Sequence, residues 1–323
     1  MKGVVAAAIA SVAVLGLGGC ESPSSRDATP TETISIAAGD KKGNYYQAAI
    51  DLREVLGEKG YEFEIRETTG SIANIEAVGT GAADLGFSQL DTRVYLEKFG
   101  DDAQREYLSN AQLFAPVSNE VLHLIVRRDA GIEEPEDLAG KRVAIGPPGS
   151  GTFVTAFVFY TLYDLDPETE PNLERLDIET AVEELLAGDL EAMFFTSALG
   201  SPLLMELAAE AGEEIRLLAL SERSILQGLE GIYQPTTIPA NTYSWQSEAV
   251  PTFSTFSFIA VDRTLEYQQV YRLAEAIYGN AAALQKKNSF WRLLSVEEAQ
   301  RDITISELDY HEGVKAFIAD PSE

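Results

Sequence analysis

The sequence predicts an α/β protein built as two similar lobes that face each other across a cleft. Short apolar runs of strand character alternate with helical segments along the chain, and several strands end in glycine-rich turns. The order of turn, helix, strand, helix and strand occurs in two places. About 290 residues follow the N-terminal leader and spacer, and this length is long for one compact core and suits two lobes.

The second occurrence opens with residues 142–152, where an apolar run breaks into a glycine-rich turn before a helix. Gly146, Gly149 and Gly151 allow backbone angles that side chains disfavour, and residues 152–160 are apolar enough for a buried helix. The first N–H groups of such a helix have no partner within it and carry partial positive charge. A carboxylate or a phosphate is expected there, although a tight turn with nothing bound is an open alternative.

A nucleotide-binding P-loop does not fit this turn. Gly146 and Gly151 have the spacing of that motif, but the motif continues with Lys and then Ser or Thr, whereas Thr152 and Phe153 follow here. Without the lysine there is no side-chain charge for a triphosphate. A nucleotidase is therefore not expected.

The first occurrence starts the globular part of the chain. Residues 34–39 are a predicted strand, the turn at 40–44 leads into a helix over 45–56, and Asn44 is the predicted N-cap. Its further elements are a strand at 61–66, a helix at 72–78 with Ser71 as its cap, and a strand at 84–87.

The second occurrence continues with the same order of elements. A capping box at 180–183 is expected to open a helix that Gly188 ends, and residues 191–195 form a strand. Ligands of open α/β sheets bind beyond the carboxyl ends of the strands, where both occurrences carry polar residues. Two facing lobes would place Asn44, Ser71 and Gln89 opposite Ser150, Thr152 and Ser197. A generic βα pattern without such a relation is the alternative.

Two long strands are expected to join the lobes. Residues 119–128 alternate over enough length to cross from one lobe to the other, and residues 253–261 can return the chain. Residues 233–245 are rich in Pro and Thr and indicate an irregular connection. The predicted division gives lobe 1 residues 33–118 plus 253–323, and lobe 2 residues 119–252.

The leader, residues 1–19, has the pattern of a bacterial lipoprotein signal that ends in LGGC. Its uncharged run is shorter than the roughly 20 residues that a membrane-crossing helix needs. Cys20 is the predicted lipidation site and membrane tether, and an ordinary cleaved signal is the alternative. Residues 20–32 contain Ser, Pro, Thr and charge, which predicts a flexible spacer.

The composition argues for a binding protein. A net charge of −28 disfavours nucleic acid and anionic lipid surfaces as partners. Two histidines and one cysteine cannot assemble a zinc site of His and Cys ligands, and a disulfide within the chain is excluded. Pro148 and Thr152 flank Ser150 where a serine nucleophile elbow needs glycines, and His123 is expected to be packed in an apolar strand. No catalytic residue, cofactor or metal is predicted.

The order and spacing of motifs from about residue 34 to about residue 317 resemble the TAXI-type solute-binding proteins of TRAP (tripartite ATP-independent periplasmic) transporters. The motifs are GNYY at 43–46, TGS at 69–71 with Asn74, DLGFSQ at 84–89, VLHLIVRRD at 121–129, DLAGKRVAIGPPGSGT at 137–152, IPANTY at 238–243, VPT at 250–252 and HEGV at 311–314.

The resemblance implies a two-lobed periplasmic binding protein of type II topology that delivers a solute to an ion-coupled membrane permease. Glutamate, glutamine or a 2-oxo acid is the implied ligand, and we expect a monomer. The first turn departs from the family form GTGGTYYP through Asp40, Lys41, Lys42, Asn44 and Gln47. Lys41 or Lys42 could reach a carboxylate, or the loop is displaced and the ligand differs. TSALG at 196–200 is also less glycine-rich than the family form.

Hinge closure is the expected mechanism, because a ligand that bridges both lobes adds contacts that exist only in the closed state. A ligand carboxylate would meet the α-helix start near Ser150, and Asp91 would receive an ammonium group if the ligand is an amino acid. The predicted ligand-binding residues are Asn44, Tyr45, Tyr46, Ser71, Asn74, Gln89, Asp91, Gly149, Ser150, Gly151, Thr152, Thr196 and Ser197. A ligand-sensing lipoprotein and an enzyme on the same scaffold are the alternative functions.

Overall fold

A computed structural model describes residues 32–305, except 212, 221–228 and 230, together with residues 309–321. The predicted signal sequence, Cys20 and the spacer up to residue 31 lie outside the described residues. Residue 32, the last residue of the predicted spacer, already belongs to the first strand.

Strands and helices alternate through most of the chain. The strands are β1 (Glu32–Ala37), β2 (Tyr61–Arg66), β3 (Leu85–Gln89), β4 (Ala111–Arg127), β5 (Val143–Ala144), β6 (Leu173–Glu174), β7 (Ala192–Ser197), β8 (Ile215–Leu217), β9 (Gln234–Ile238) and β10 (Val250–Asp262). The helices are α1 (Asn44–Gly57), α2 (Ser71–Gly79), α3 (Leu90–Phe99), α4 (Asp102–Asn110), α5 (Gly151–Leu162), α6 (Ile178–Ala187), α7 (Pro202–Ala211), α8 (Tyr267–Gly279), α9 (Ala281–Lys287), α10 (Val296–Ile305) and α11 (Glu312–Ala319). Two 3₁₀ helices cover Pro135–Leu138 and Ser289–Leu293.

The strands join in one mixed sheet of order β2-β1-β3-β10-β4-β7-β5-β6, with β8 beside β4 and β9 beside β10. We name β1-α1-β2-α2-β3 the first unit and β5-α5-β6-α6-β7 the second unit. In the first unit β1 runs parallel between β2 and β3, and in the second unit β5 runs parallel between β6 and β7. The two units have the same topology, as the repeated order of elements in the sequence indicated.

Two long antiparallel strands connect the units. The first part of β4 pairs with β10, and its later part, from Val121 to Val126, pairs with β7 of the second unit. β10 in turn pairs with β3 of the first unit. The predicted crossing strand is present and begins earlier than expected, at Ala111.

The buried hydrophobic residues form separate clusters on either side of these crossing strands. One core contains residues of the first unit together with α8, α9 and α11, including Phe87, Trp291 and Phe317. Two further clusters lie around the second unit, one including Phe194 and the other including Tyr243. Burial of these aromatic and aliphatic side chains supplies most of the driving force for the fold.

Three predicted helix caps are wrong. Gly43 and Gly70 are the N-caps of α1 and α2, so Asn44 and Ser71 are the first residues inside their helices. Asp177 caps α6, where it accepts a hydrogen bond from the Thr180 N–H at 3.0 Å, three residues before the predicted position. The stronger acceptor at Asp177 therefore sets the helix start ahead of the capping box.

One predicted irregular segment contains a strand. Gln234–Ile238 forms β9 and pairs antiparallel with β10 from Val250 to Ser254. Pro235 does not prevent the pairing, because β9 lies at the side of β10 as an edge strand. In the described part of the chain, no helix is long and apolar enough to cross a membrane.

Candidate ligand-binding site

A cavity of about 110 Å³ lies between the two units, at the carboxyl ends of their strands. The first turns of α1, α2 and α5 surround it, and the end of β7 closes one side. A wider cavity of about 470 Å³ adjoins it and shares six lining residues with it, namely Asp40, Gly43, Thr69, Ser150, Thr152 and Phe195. Both units therefore contribute walls to one continuous space.

Nine of the predicted ligand-binding residues line the smaller cavity. They are Asn44, Tyr45, Ser71, Gln89, Ser150, Gly151, Thr152, Thr196 and Ser197. Topology explains why they meet, because each lies at the carboxyl end of a parallel strand in one of the two units or in the segment that follows it. Tyr46, Asn74, Asp91 and Gly149 are not among the lining residues.

The turn before α1 reaches across the cavity. The side-chain amide of Asn44 donates to Ser197 Oγ at 2.7 Å, which joins the first unit to the second. Within the turn, the Gly43 N–H donates to the Asp40 carbonyl at 2.8 Å. Because Gly43 has no side chain to cap the helix, the first N–H groups of α1 lack a side-chain acceptor from their own N-cap.

A residue of the turn before α5, Ser150, caps that helix. Ser150 Oγ accepts from the Phe153 N–H at 3.0 Å, and the Ser150 N–H donates to the Pro147 carbonyl at 3.1 Å. Thr152 Oγ1 accepts from the Thr196 N–H at 3.3 Å. The backbone N–H groups of Gly151 and Thr152 have no acceptor inside the helix and are the donors best placed for a ligand carboxylate.

Gly149 connects the units instead of lining the cavity. Its carbonyl accepts from the N–H groups of Ile72 at 2.9 Å and Ala73 at 3.2 Å, in the first turn of α2. Its φ of +95° suits glycine, and a Cβ at this position would lie 2.4 Å from Thr69 Oγ1. A carbonyl of the second unit thus caps a helix of the first unit.

The other predicted site residues outside the cavity have internal partners. Asn74 Nδ2 donates to the Phe87 carbonyl at 2.7 Å, and its Oδ1 accepts from Thr68 Oγ1 at 2.5 Å. Tyr46 is half-buried and packs against the first core. These bonds hold α2 on β3, so the contribution of Asn74 to the cavity is indirect.

Asp91 lies behind the cavity, where α3 meets α5. Its Oδ2 accepts from Thr155 Oγ1 at 2.6 Å and from the Tyr233 hydroxyl at 2.7 Å, while Oδ1 is buried without a partner in the described structure. Burial raises the pKa of Asp91, and the two hydroxyl donors oppose that rise. Asp91 therefore joins α3 to α5 and to Tyr233, and it is not among the lining residues of the two cavities.

Lys41 and Lys42 pair with acidic side chains at the mouth of the cleft. Lys41 pairs with Glu67 of the same unit, whereas Lys42 pairs with Glu179 at the start of α6. Both lysine side chains are 63% exposed, so neither enters the cavity. The Lys42 pair spans the cleft between the units.

Glu120 is a cavity residue that the sequence analysis missed. It lies on β4, is 3% exposed, and accepts from Ser257 Oγ at 3.1 Å. Burial raises the pKa of Glu120 to about 7, the Ser257 hydroxyl and Arg292 lower it, and Asp91 adds to the rise. An acidic residue inside the predicted crossing strand is the sequence signal that could have identified it.

The charge around both cavities is acidic. In the described structure their ionisable lining residues, apart from Tyr45, are Asp40, Glu67, Glu120 and Asp177, with no Lys, Arg or His among them. No group of three or more His, Cys, Asp or Glu residues in the described chain could hold a metal ion. Backbone dipoles at the helix starts are the source of positive potential in the site.

His123 has the packed environment that the sequence predicts. It is fully buried in β4, its Nδ1 lies 2.9 Å from the Val121 carbonyl, and its Nε2 lies 2.8 Å from the Tyr243 hydroxyl. Burial lowers the pKa of His123 to about 4, so the ring is neutral at pH 7. The residue supports the second unit, where its ring centroid lies 6.4 Å from that of Phe195, and it is not itself a lining residue of either cavity.

Several solved structures align with this chain at low sequence identity. A protein of Bordetella bronchiseptica RB50 aligns with a TM-score of 0.53 and 14% identity over 90% of this chain and 98% of that chain. The periplasmic aliphatic sulphonate binding protein of Escherichia coli aligns with a TM-score of 0.49 and 15% identity over 89% of this chain and 78% of that chain. An ancestral arginine-binding protein aligns with a TM-score of 0.48 and 13% identity over 80% of this chain and 95% of that chain.

The strand order within each unit and the crossing pair β4 and β10 define the fold class. This is the mixed α/β fold of type II periplasmic binding proteins, in which two halves of equal topology enclose a cleft. The predicted fold class is confirmed. A family model described as the NMT1-like family matches residues 36–318, which is most of the sequence. The chain therefore belongs to the NMT1-like family.

Proposed function

We propose that this chain is the extracytoplasmic solute-binding subunit of a TRAP transporter of the TAXI type. It captures a small carboxylated solute, such as glutamate, glutamine or a 2-oxo acid, and delivers it to an ion-coupled permease. The carrying observation is the cavity between two units of equal topology, which the start of α5 and the turn before α1 face from opposite sides. The family and the fold support the coarser part of this proposal, a protein that binds a small solute.

The two lobes of the proposed binding protein are residues 33–118 plus 253–323, and residues 119–252. The separation of the hydrophobic cores at β4 and β10 supports this division. Closure of the lobes brings Asn44 to Ser197 and the Gly149 carbonyl to the start of α2. A ligand held between them favours the closed state, because it contacts both lobes only there.

The ligand carboxylate binds at the start of α5 in this proposal. The N–H groups of Gly151 and Thr152 point from a helix N-terminus, and Thr152 adds a hydroxyl. Tyr45, which stacks on Phe87 with ring centroids 5.4 Å apart, supplies an apolar wall. Cys20 anchors the protein to the membrane through a lipid, and the protein acts as a monomer.

A binding screen tests the capture step. The mature chain, refolded to strip carried-over ligand, is mixed with amino acids, 2-oxo acids and dicarboxylates while its thermal unfolding is recorded. We expect at least one small carboxylate to raise the midpoint, since a ligand that binds the folded state alone stabilises it. Mass spectrometry of the compound that co-purifies with the protein identifies the natural ligand.

Two variants on one helix locate the binding site. Thr152→Ala removes a cavity hydroxyl at the start of α5, and Thr161→Ala removes a hydroxyl near the end of the same helix. Thr152→Ala should weaken binding while Thr161→Ala leaves it unchanged. Equal affinities for the two variants would place the ligand elsewhere, and failure of any carboxylate to bind wild type would contradict the proposed ligand class.

The transport step needs a separate measurement. Solute uptake into vesicles that carry a TRAP permease should rise when the loaded protein is added. Tight binding with no increase in uptake would contradict delivery and leave capture intact.

A further inference from the structure

Glu120 is the one carboxylate enclosed in the smaller cavity among the described residues. Asp40, the other acidic residue there, lies at the rim and accepts from the Lys42 N–H at 2.8 Å, whereas Glu120 is 3% exposed on the crossing strand β4. Glu120 pairs with Thr255 of β10, and the next residue, Val121, pairs with Ser254 of β10 and with Ser197 of β7, so β4 is held from both sides at this point. The Glu120 carboxylate is therefore an ordered part of the cavity lining.

The partners of Glu120 leave its charge without a counter-ion. Ser257 Oγ donates to Oε1 at 3.1 Å. In the described part of the chain no Lys, Arg or His forms an ion pair with Glu120 within 4.0 Å. Arg292 contributes a weak attraction from an exposed position on the 3₁₀ helix Ser289–Leu293. A buried carboxylate without a paired cation is costly unless a ligand supplies the opposite charge.

The same cavity offers the two recognition elements of a zwitterion. Helix N–H groups at Gly151 and Thr152 suit a carboxylate, and Glu120 suits a group with positive charge and N–H donors. A ligand with only negative charges would be repelled by Glu120 when that side chain is ionised. A zwitterion satisfies both ends of the cavity.

We propose that Glu120 is the ammonium acceptor of the site and that the ligand is an amino acid instead of a 2-oxo acid or a dicarboxylate. This inference rests on the proposed function, of which it names the ligand class. Ser257 is a positioning residue, because its hydroxyl donates to Oε1 and holds the carboxylate in place. The role predicted for Asp91 thereby belongs to Glu120.

Proton release supplies an independent signature. Glu120 is surrounded by Tyr45 from α1, Asp91 from α3, Ser257 from β10 and the more distant Arg292, and its pKa in the free protein is about 7. An ammonium group favours the ionised carboxylate, so binding expels the proton that Glu120 carries at lower pH. About one proton per ligand should be released at pH 6 and almost none at pH 8.5.

The experiment compares matched ligands on stripped wild-type protein by calorimetry. The panel contains the protein amino acids, the 2-oxo acids derived from them and simple dicarboxylates, and each is measured in buffers of different ionisation enthalpy. We expect the amino member of the best pair to bind at least about 30-fold more tightly than its oxo counterpart, because the latter leaves a buried charge unpaired. Proton release should follow the pH dependence given above.

Two variants separate recognition from stability. Glu120→Gln keeps the shape and the bond from Ser257 but should reduce the preference for the amino member to less than about 10-fold and abolish proton release. Asp51→Asn is the control, since Asp51 is a buried carboxylate in α1 that accepts from Trp291 Nε1 at 3.1 Å away from the cavity. It should keep the wild-type preference.

The outcomes are distinguishable. Wild-type binding of a 2-oxo acid or dicarboxylate as tight as that of any amino acid overturns the inference and leaves the proposed function intact. A preference for the amino member that survives in Glu120→Gln also overturns it. If the stripped wild-type protein binds no member of the panel, the proposed function itself is contradicted, and the inference falls with it.

Discussion

The turns before α1 and α5 occupy equivalent positions in the two units, yet they serve the cleft in different ways. The α5 turn caps its own helix through Ser150, whose Oγ accepts from the Phe153 N–H. The α1 turn has Gly43 at the cap and sends the Asn44 amide across to Ser197. Equal topology therefore does not give equal roles, because the cap residue decides which polar groups are left for contacts across the cleft.

The two turns also differ in charge. Residues 146–152 contain no ionisable side chain, so the helix dipole acts without competition at the start of α5. In the α1 turn, Asp40 accepts from the Lys42 N–H, and Lys41 and Lys42 pair with Glu67 and Glu179. The α5 turn is thus the better anion site, and the α1 turn is the better contact surface for the opposite unit.

The largest expected effect comes from Gly149, where the two units touch through the backbone. Gly149→Ala places a Cβ 2.4 Å from Thr69 Oγ1 and strains a φ of +95°. We expect the free energy of unfolding to fall by about 2–4 kcal/mol and closure on ligand to be lost. Thermal unfolding and ligand titration measure the two effects.

Gly131→Ala is the matched control. Gly131 also has a positive φ, +67°, but a Cβ there would meet nothing within 4 Å. The free energy of unfolding of this variant should fall by only about 1 kcal/mol, and the variant should bind ligand normally. If both variants bound ligand equally well, the contact of the Gly149 carbonyl with α2 would have no part in closure.

The next effect concerns Glu120, which lies between the two turns on β4. Its pKa of about 7 in the folded protein exceeds the ordinary value of 4.5, so the folded state holds the proton more tightly than the unfolded state. The resulting stabilisation is fully present below pH 4.5 and is lost as pH rises through 7. Glu120→Gln should therefore stabilise the ligand-free protein relative to wild type at pH 8.5, by up to about 3 kcal/mol, and much less at pH 4.5.

The difference between variant and wild type isolates this group. His123 acts in the opposite direction, because its pKa of about 4 means that stability is lost as pH falls from 6.5 towards 4. His123 is present in both proteins, so its contribution cancels in the difference. Equal midpoints of thermal unfolding for the pair at pH 8.5 would contradict a buried ionisable Glu120.

Two variants with smaller expected effects, one in each turn, compare the two turns directly. Ser150→Ala removes the cap of α5 and should lower the free energy of unfolding by about 1 kcal/mol with or without ligand. Asn44→Ala removes the hydrogen bond to Ser197, which forms only when the lobes are closed. The variant should therefore weaken ligand binding by about 2- to 10-fold. Chemical denaturation and ligand titration separate the two results. If Asn44→Ala lowered the free energy of unfolding as much as Ser150→Ala does, the proposed difference between the two turns would be wrong.

The sequence was sufficient to predict the strand–turn–helix order and the meeting of nine site residues, because strand ends and glycine turns are local signals. It did not distinguish Asn44 from a cap, since Gly43 and Asn44 are both acceptable at that position and the partner Ser197 is 153 residues away. The burial of Glu120 and the displacement of Asp91 behind the cavity depend on how β4 and α3 pack. Neither follows from residue type, because most acidic side chains in the part of the chain that the structure describes are at least partly exposed.

The smallest expected effect compares the two lysines of the α1 turn. Lys42 pairs with Glu179 across the cleft, and Lys41 pairs with Glu67 within the first unit. Both pairs are exposed, so salt screens them and stability should not change measurably in either variant. At low salt, however, Lys42→Met should increase the rate of ligand release, because only its ion pair must break when the cleft opens. Stopped-flow release measured at low and high salt tests this, and an equal increase in Lys41→Met would show that charge in the turn matters, not the bridge between the units.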